Sequence, residues 1–334
     1  MRLVFTADLQ IHEHQKWSRV LPNGRNSRLQ NGLDCLEQAF VLAKGGVLVI
    51  NGDLFHDRKH LSIEVIHATC EVFQKHSDVP VILNIGNHDQ FLRSGAIHSL
   101  SMFNGMSNVR VIDSPCDIPL GEDLRLYIHP FTTDLQAFRQ WSSALEFRAD
   151  EFSVMVVHQG VEGSTLAQGV KSKGGLSLGD LRFDEVGAVF LGHYHRPQAL
   201  ARNVWYIGSP YEIDEGEAGE DKRFITLSDE SGSWVVDTVP VVGMPKHKRW
   251  DNVDTFTLDA KEADFNTVEC DTREEAEAIE ETGCKSIMRR ADVVSLGDVE
   301  IADVSIEEAL KLSLTRKHNR PDLFEKKLKR RLPA

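Results

Sequence analysis

What most limits the fold of this chain is an alternation of short apolar runs with helical stretches. Leu3–Thr6, Val47–Ile50, Val81–Ile85, Leu124–His129, Val154–Val157 and Ala188–Leu191 read as buried strands. Between the first two lies SRLQNGLDCLEQAFVLAKGG, in which Leu29, Leu33, Leu36 and Phe40 recur at helical spacing. Ser27 offers an N-cap to that helix and a Gly pair stops it. A second helix is expected from about Ile63 to His76, ahead of SDVP. Such alternation implies an α/β domain around a central, largely buried sheet.

Past Val204 the pattern changes. VWYIGSP, RFITLS and WVVDTV read as consecutive antiparallel strands joined by polar turns. An acidic stretch from Asp251 to about Asp303 contains TREEAEAIEETG, a helical phrase, and reads as a small βα appendage. From Ser305 the chain turns helical and basic.

Lys plus Arg number 38 against 51 Asp plus Glu, a net charge of −13 over 334 residues. Bulk charge therefore does not draw nucleic acid to this protein; local basic segments, divalent cations or a partner would have to. The five cysteines are scattered and form no C-x-x-C pair, which argues against a disulfide framework or zinc ribbon and suits a reducing cytoplasm. No secretory signal is readable, and runs such as VLVI fall far short of the roughly 20 residues of a membrane span. A cytoplasmic protein without a membrane partner is expected.

Chemistry gathers where the strands end. The first runs into ADLQIH, the second into NGDLFHD, the third into IGNHDQ, and two later ones into VVHQG and FLGHYH. Open α/β sheets bind ligands beyond the carboxyl ends of their strands. Five ends delivering Asp, Asn or His to one rim imply a metal centre, since that much buried polarity is costly without a cation. Oxygen and imidazole donors without thiolate suit Mn²⁺, Fe²⁺ or Mg²⁺, with Zn²⁺ also allowed.

The order D-x-Q, G-D, G-N-H-D, H, G-H-x-H resembles the calcineurin-like metallophosphoesterase superfamily over roughly Met1 to Val239. NGDLFHDRK, LGHYHRPQ and YIGSPYEIDEGE are similar to the SbcD-type nucleases, bacterial and viral relatives of the meiotic-recombination-eleven DNA repair nuclease. The resemblance implies an α/β metallophosphoesterase β-sandwich flanked by helices (αββα), with a small C-terminal α+β appendage and a helical tail. It divides the chain into a nuclease domain at 1–240, an accessory domain at 245–303 and a basic tail at 304–334. It implies two divalent metal ions, foremost Mn²⁺. Asp8, Gln10, Asp53 and His195 would hold one; Asp53 would bridge to a second, completed by Asn87, His158 and His193. His88 would protonate or stabilise the leaving oxygen, and His56 would present the scissile phosphodiester.

Most of that family has His where this chain has Gln10, which ligates only through an amide oxygen or else hydrogen-bonds a bound water. A weakened first site is expected. Period-two geometry puts His12 on the face of Asp8 and Gln10, lining the substrate approach or replacing the missing imidazole. Arg58 would sit with Asp57 near the entry, where substrate contact and a plain ion pair both remain open; His14 is expected to be solvated, and Asp89 to anchor its turn. The expected activity is DNA exonuclease and endonuclease cleavage in end processing, recombination or repair. Partners implied are DNA, an SbcC-type coiled-coil ATPase docked on the basic tail, and a second copy of the chain. A small-molecule phosphodiesterase or phosphatase, and a non-catalytic DNA-binding scaffold, are the alternatives.

Overall fold

Successive residues of the first strand, Arg2–Thr6, serve two different cores. Leu3 and Phe5 join one apolar cluster and Val4 another. A strand with both faces buried shows no polar alternation, so its sequence is a continuous apolar run. The computed structural model describes residues 1–92, 96–166, 169–251, 253, 256, 265–282 and 284–288.

In chain order the elements begin with β1 (Arg2–Thr6), α1 (Ser27–Leu42), β2 (Val47–Asn51), α2 (Ile63–Lys75) and β3 (Val81–Asn84). They continue with β4 (Val109–Ile112), β5 (Cys116–Pro119), β6 (Leu124–His129), α3 (Leu135–Ala144), β7 (Phe152–His158) and β8 (Ala188–Gly192). Next come β9 (Gln198–Ala201), β10 (Val204–Tyr206), β11 (Arg223–Glu230) and β12 (Ser233–Pro240). A last group comprises β13 (His247–Trp250), β14 (Phe265–Cys270), α4 (Arg273–Glu281) and β15 (Lys285–Met288).

Two six-stranded sheets result, ordered β12-β11-β1-β2-β3-β4 and β5-β6-β7-β8-β10-β9. They face one another across a core containing Leu3, Phe5, Val49, Ile82, Leu126, Val154, Val156 and Phe190, with the Phe5 and Phe190 rings 4.3 Å apart. The opposite face of the first sheet packs Val4, Leu48 and Ile50 against Leu29, Leu36 and Phe40 of α1 and Phe73 of α2. The outer face of the second packs Met155, Val157 and Val189 against Phe138 of α3. This is the αββα sandwich, with two sheets in place of one central sheet.

Several local expectations are corrected. Asn26, not Ser27, caps α1, its side chain accepting from the backbone N–H groups of Arg28 and Leu29. VWY does not continue into RFITLS within one antiparallel sheet. Strand β10 runs parallel to β8 and antiparallel to β9 in the second sheet, and of the three runs RFITLS and WVVDTV alone pair with each other, as the antiparallel hairpin β11–β12 in the first. Helix α4 starts with a full capping box between Thr272 and Glu275. The basic tail 304–334 and the acidic stretch from 289 onward lie outside the described residues.

Strands β13, β14 and β15 make a small parallel sheet whose core, Val268, Cys270, Ala276 and Ile279, is shared with α4. It meets the sandwich around Arg28, a fully buried cation in the first turn of α1. The Arg28 guanidinium donates to the carbonyls of Lys16 and Ile213 and sits 4.4 Å over the Phe265 ring. His247 packs between Trp17 and Phe265, at 4.5 and 4.8 Å, and neither of its ring nitrogens has a hydrogen-bond partner.

Burial, with the Arg28 charge beside it, pulls the His247 imidazole down from 6.5 to about 4. The unfolded chain takes up this proton as pH falls below 6.5, the folded chain only near 4. The stabilisation is therefore full above 6.5 and is lost as pH falls between those values. His247→Phe fills the same aromatic niche without titrating, so it should lose less stability than the parent between about pH 7 and about pH 4.5. Urea midpoints at the two pH values measure this; equal losses would contradict it.

Candidate metal centre

Beyond the sheet, the segments after β1 and β2 keep pairing. Asp8 N donates to Gly52 O at 3.0 Å, Gln10 N to Asp53 O at 3.0 Å, and Ile11 N to Leu54 O at 2.9 Å. Asp8, Gln10 and Asp53 nonetheless adopt left-handed backbone, with φ of 54°, 49° and 54°. Non-glycine residues hold that conformation only where surroundings enforce it. It also removes the extended geometry on which a period-two relation of His12 to Asp8 and Gln10 depends. Instead, Gln10 Nε2 reaches Asp53 Oδ2 at 3.1 Å.

Two glycines let the loops close in. Gly52 has a φ of 83°, and a Cβ there would collide with His158 Nδ1. A Cβ on Gly86 would collide with the Asp53 carboxylate. Asp89 then ties the loops together, Oδ2 accepting from Asp53 N (2.8 Å) and Gly86 N (2.9 Å) and Oδ1 from Phe55 N (3.3 Å). It anchors the turn, as the sequence implied. Between the sheets, Asn51 Nδ2 donates to the carbonyls of Val157 and Phe190, and Asn84 Nδ2 to Asn51 Oδ1. Those asparagines terminate β2 and β3 and fix the ends of both sheets in register. Their only sequence signal was a polar residue closing an apolar run.

Asp8, Asp53 and His158 are buried and offer ligand atoms within 4.8 Å of one another. His158 Nδ1 donates to Asn51 O at 2.7 Å, which leaves Nε2 facing Asp53 Oδ2 at 3.4 Å and Asp8 Oδ1 at 4.0 Å. The hydrogen bond selects the tautomer. His193 donates its backbone N–H to both Asp8 oxygens at 3.1 Å, while its Nδ1 lies 2.7 Å from Asn87 Oδ1. The same Asn87 oxygen is 3.2 Å from His158 Nε2. His195 turns its Nδ1 to Glu217 Oε1 at 2.8 Å, freeing Nε2.

His88 N donates to Asp53 Oδ1 at 2.7 Å, and its Nδ1 donates to His56 O at 2.6 Å. His56 Nδ1 meets Gln10 Oε1 at 2.7 Å. His12 stacks beside His56 with ring centres 5.3 Å apart. Two expectations differ from the structure. His14 is not solvated: its Nε2 bonds Gln10 O at 3.1 Å, its ring lies 4.7 Å from His56, and burial followed by the Arg28 charge pulls its pKa to about 3. Arg58 does not pair with Asp57 but donates through Nε and Nη2 to Asn87 O, at 2.7 and 2.5 Å. Asp57 instead caps the turn at Lys59 and His60. Glu217 was not singled out, although it ends the phrase YIGSPYEIDEGE.

Burial pushes the Asp8 carboxyl up, opposed by the His158 and His195 charges. Burial acts on Asp53 in the same sense, yet the charge and hydrogen bond of His158, with His88, hold its carboxyl below the usual carboxylate range. For His195 burial pulls down, but the Glu217 hydrogen bond and charge prevail and raise it to about 9. Two buried carboxylates, an amide oxygen and imidazoles with selected tautomers fit divalent cations of hard or borderline character.

Asp89→Ala would strand three buried N–H groups, at about 1–3 kcal/mol each. It should cost more than about 3 kcal/mol in urea unfolding and weaken Mn²⁺ binding by at least about tenfold. Unchanged binding by calorimetry would contradict the anchoring role.

The chain is 26% identical over 215 residues to "Exonuclease subunit 1" of Enterobacteria phage T4, covering 62% of this chain and 58% of that protein. It thus spans under two thirds of that relative's length. A hypothetical protein of Thermus thermophilus, known from a crystal structure, aligns with a TM-score of 0.41 and 11% identity, over 72% of this chain and 98% of that one. Calcineurin-like phosphoesterase matches residues 1–197, which contain every proposed ligand. The chain belongs to that family and hence to the metal-dependent hydrolases of phosphate esters.

Proposed function

We propose that this protein is a metal-dependent DNA nuclease, acting as exonuclease and endonuclease on phosphodiester bonds. The observation that supports it most is that Asp8, Asp53 and His158 are buried together with their ligand atoms within 4.8 Å of one another. A carboxylate such as Asp53, if shared by two cations, would suit in-line attack at phosphorus. Likeness to a phage protein named an exonuclease subunit favours DNA as the substrate.

Asp8, Asp53 and His195 would hold one ion; Asp53, Asn87, His158 and His193 the other. Gln10 joins the first set only if its amide turns over, since Nε2 now donates to Asp53 and Oε1 meets His56. Such a pair of ions, Mn²⁺ foremost, supplies positive charge to the phosphate and acidifies the attacking water. The remaining work belongs to the chain. His88 donates Nδ1–H to the His56 carbonyl, so Nε2 is its nitrogen for delivering a proton to the leaving oxygen. His56, braced by Gln10, presents its own Nε2 to the scissile phosphate, with His12 beside it. Arg58 fixes the backbone of Asn87. We further assign residues 1–240 to the nuclease domain, 245–303 to an accessory domain and 304–334 to docking an SbcC-type ATPase. Such a protein would process DNA ends in recombination or repair in the cytoplasm, as a homodimer.

Purified protein with Mn²⁺ should degrade linear duplex DNA. Cleavage of bis-p-nitrophenyl phosphate without DNA degradation, even with an ATPase partner supplied, would contradict the nuclease reading and favour a small-molecule esterase. DNA binding with neither activity would leave a scaffold. His88→Ala should retain both metals while turnover falls by about 100-fold or more; loss of the metals would place His88 among the ligands. Gln10→His should tighten Mn²⁺ binding, and unchanged affinity by calorimetry would exclude Gln10 as a ligand.

A further inference from the structure

The chain crosses from the second sheet back to the first between Tyr206 and Arg223. Glu217, within this crossing, is 3% exposed, and the proposed catalysis makes no use of it. Both its oxygens are occupied. Oε1 accepts from His195 Nδ1 at 2.8 Å; Oε2 accepts from Lys222 Nζ at 2.6 Å, Ser209 Oγ at 2.8 Å and Ile213 N at 3.3 Å. Lys222 turns back on the same histidine, donating to His195 O at 3.0 Å. Ser209 N donates to that carbonyl as well, also at 3.0 Å. His195 is therefore gripped by its ring and by its backbone from one buried cluster.

A purely structural crossing would not require such a cluster. Burying a carboxylate and an ammonium carries a desolvation cost that apolar residues of equal volume avoid. Here Glu217 meets the His195 imidazole and Lys222 the carbonyl of the same residue, and the carboxylate settles which ring nitrogen is free. The loop is also fastened on its far side. Glu212 Oε2 accepts from His247 N at 2.6 Å, Lys285 Nζ meets Glu215 Oε2 at 2.9 Å, and Arg28 holds Ile213 O.

We propose that Glu217 and Lys222 are a positioning pair that holds His195 in the orientation and tautomer required for cation binding. The inference rests on His195 being a metal ligand, as in the preceding section. Glu217 keeps Nδ1 protonated and Nε2 available; Lys222 fixes the backbone from which the ring projects. Because the loop is also bound to β13 and β15, the geometry of this ligand depends on the small sheet as well.

The test is Mn²⁺ titration of the full chain by calorimetry and electron paramagnetic resonance. The parent should bind two ions, and His195→Ala should weaken one of them by about 100-fold or more. Glu217→Gln keeps an acceptor for the ring but removes its charge, and should weaken the same ion by about tenfold. Glu217→Ala combined with Lys222→Met removes both members of the pair, leaving Glu220 only its longer contact with Arg196, and should weaken it by about 10–100-fold with an unchanged far-ultraviolet spectrum. Parent-like affinity in the folded double variant, or equal weakening of both ions, overturns the positioning role while His195 remains a ligand. Should the double variant fail to fold, parent-like affinity in Glu217→Gln overturns it. Parent-like affinity in His195→Ala overturns the metal reading itself, and the inference with it.

Discussion

Asp89 holds the candidate site in shape without joining it. Its carboxylate collects the N–H groups of Asp53, Phe55 and Gly86, so the loops after β2 and β3 are locked to a common acceptor. Released from that acceptor, Asp53 would have little reason to keep left-handed backbone, and Asn87 would lose its register with His158. Burial raises the Asp89 carboxyl, and the nearby Asp53 charge raises it further, while the donated N–H bonds oppose both. Local geometry at the rim thus follows from one side chain behind it.

A similar logic repeats around the rim. Four donors with a role in the proposed chemistry have a partner that fixes them from behind: Asn51 for His158, Glu217 for His195, Arg58 for Asn87, the His56 carbonyl for His88. Every such partner directs a lone pair or an N–H inward. In a region dense with imidazoles and carboxylates, that order keeps the buried polarity satisfied and ready for a cation. It would also let a chain of net charge −13 meet an anionic phosphate ester, since charge at the point of contact would come from the ions and not from the chain.

The fold was legible through the resemblance, and the candidate site residues stood out as phrases. Chemistry-bearing residues fall in short phrases at strand ends, where Asp53, Asn87, His158 and His193 are each one to three residues past an apolar run. Apolar periodicity alone suggested one central sheet, because both faces of β1, β2 and β7 are buried and their composition does not say how many sheets they form; the resemblance supplied the αββα sandwich, which the structure shows. Strands β4, β5 and β9 escaped notice because they are short and half-exposed, and α3 because its apolar stripe is interrupted by polar residues. The assignment of β10 to the wrong sheet came from reading neighbours in sequence as neighbours in space. Arg28 and Glu217, charged yet buried, carry no pattern that separates them from surface charges; only their long-range partners reveal them.

The central claim is that Asp53 is shared by two cations. A crystal of the protein grown with excess Mn²⁺, with anomalous scattering recorded at the manganese edge, tests it most directly. The account predicts two peaks roughly 4 Å apart, with Asp53 oxygens in contact with both. A single peak, or two with Asp53 out of reach of either, would contradict it.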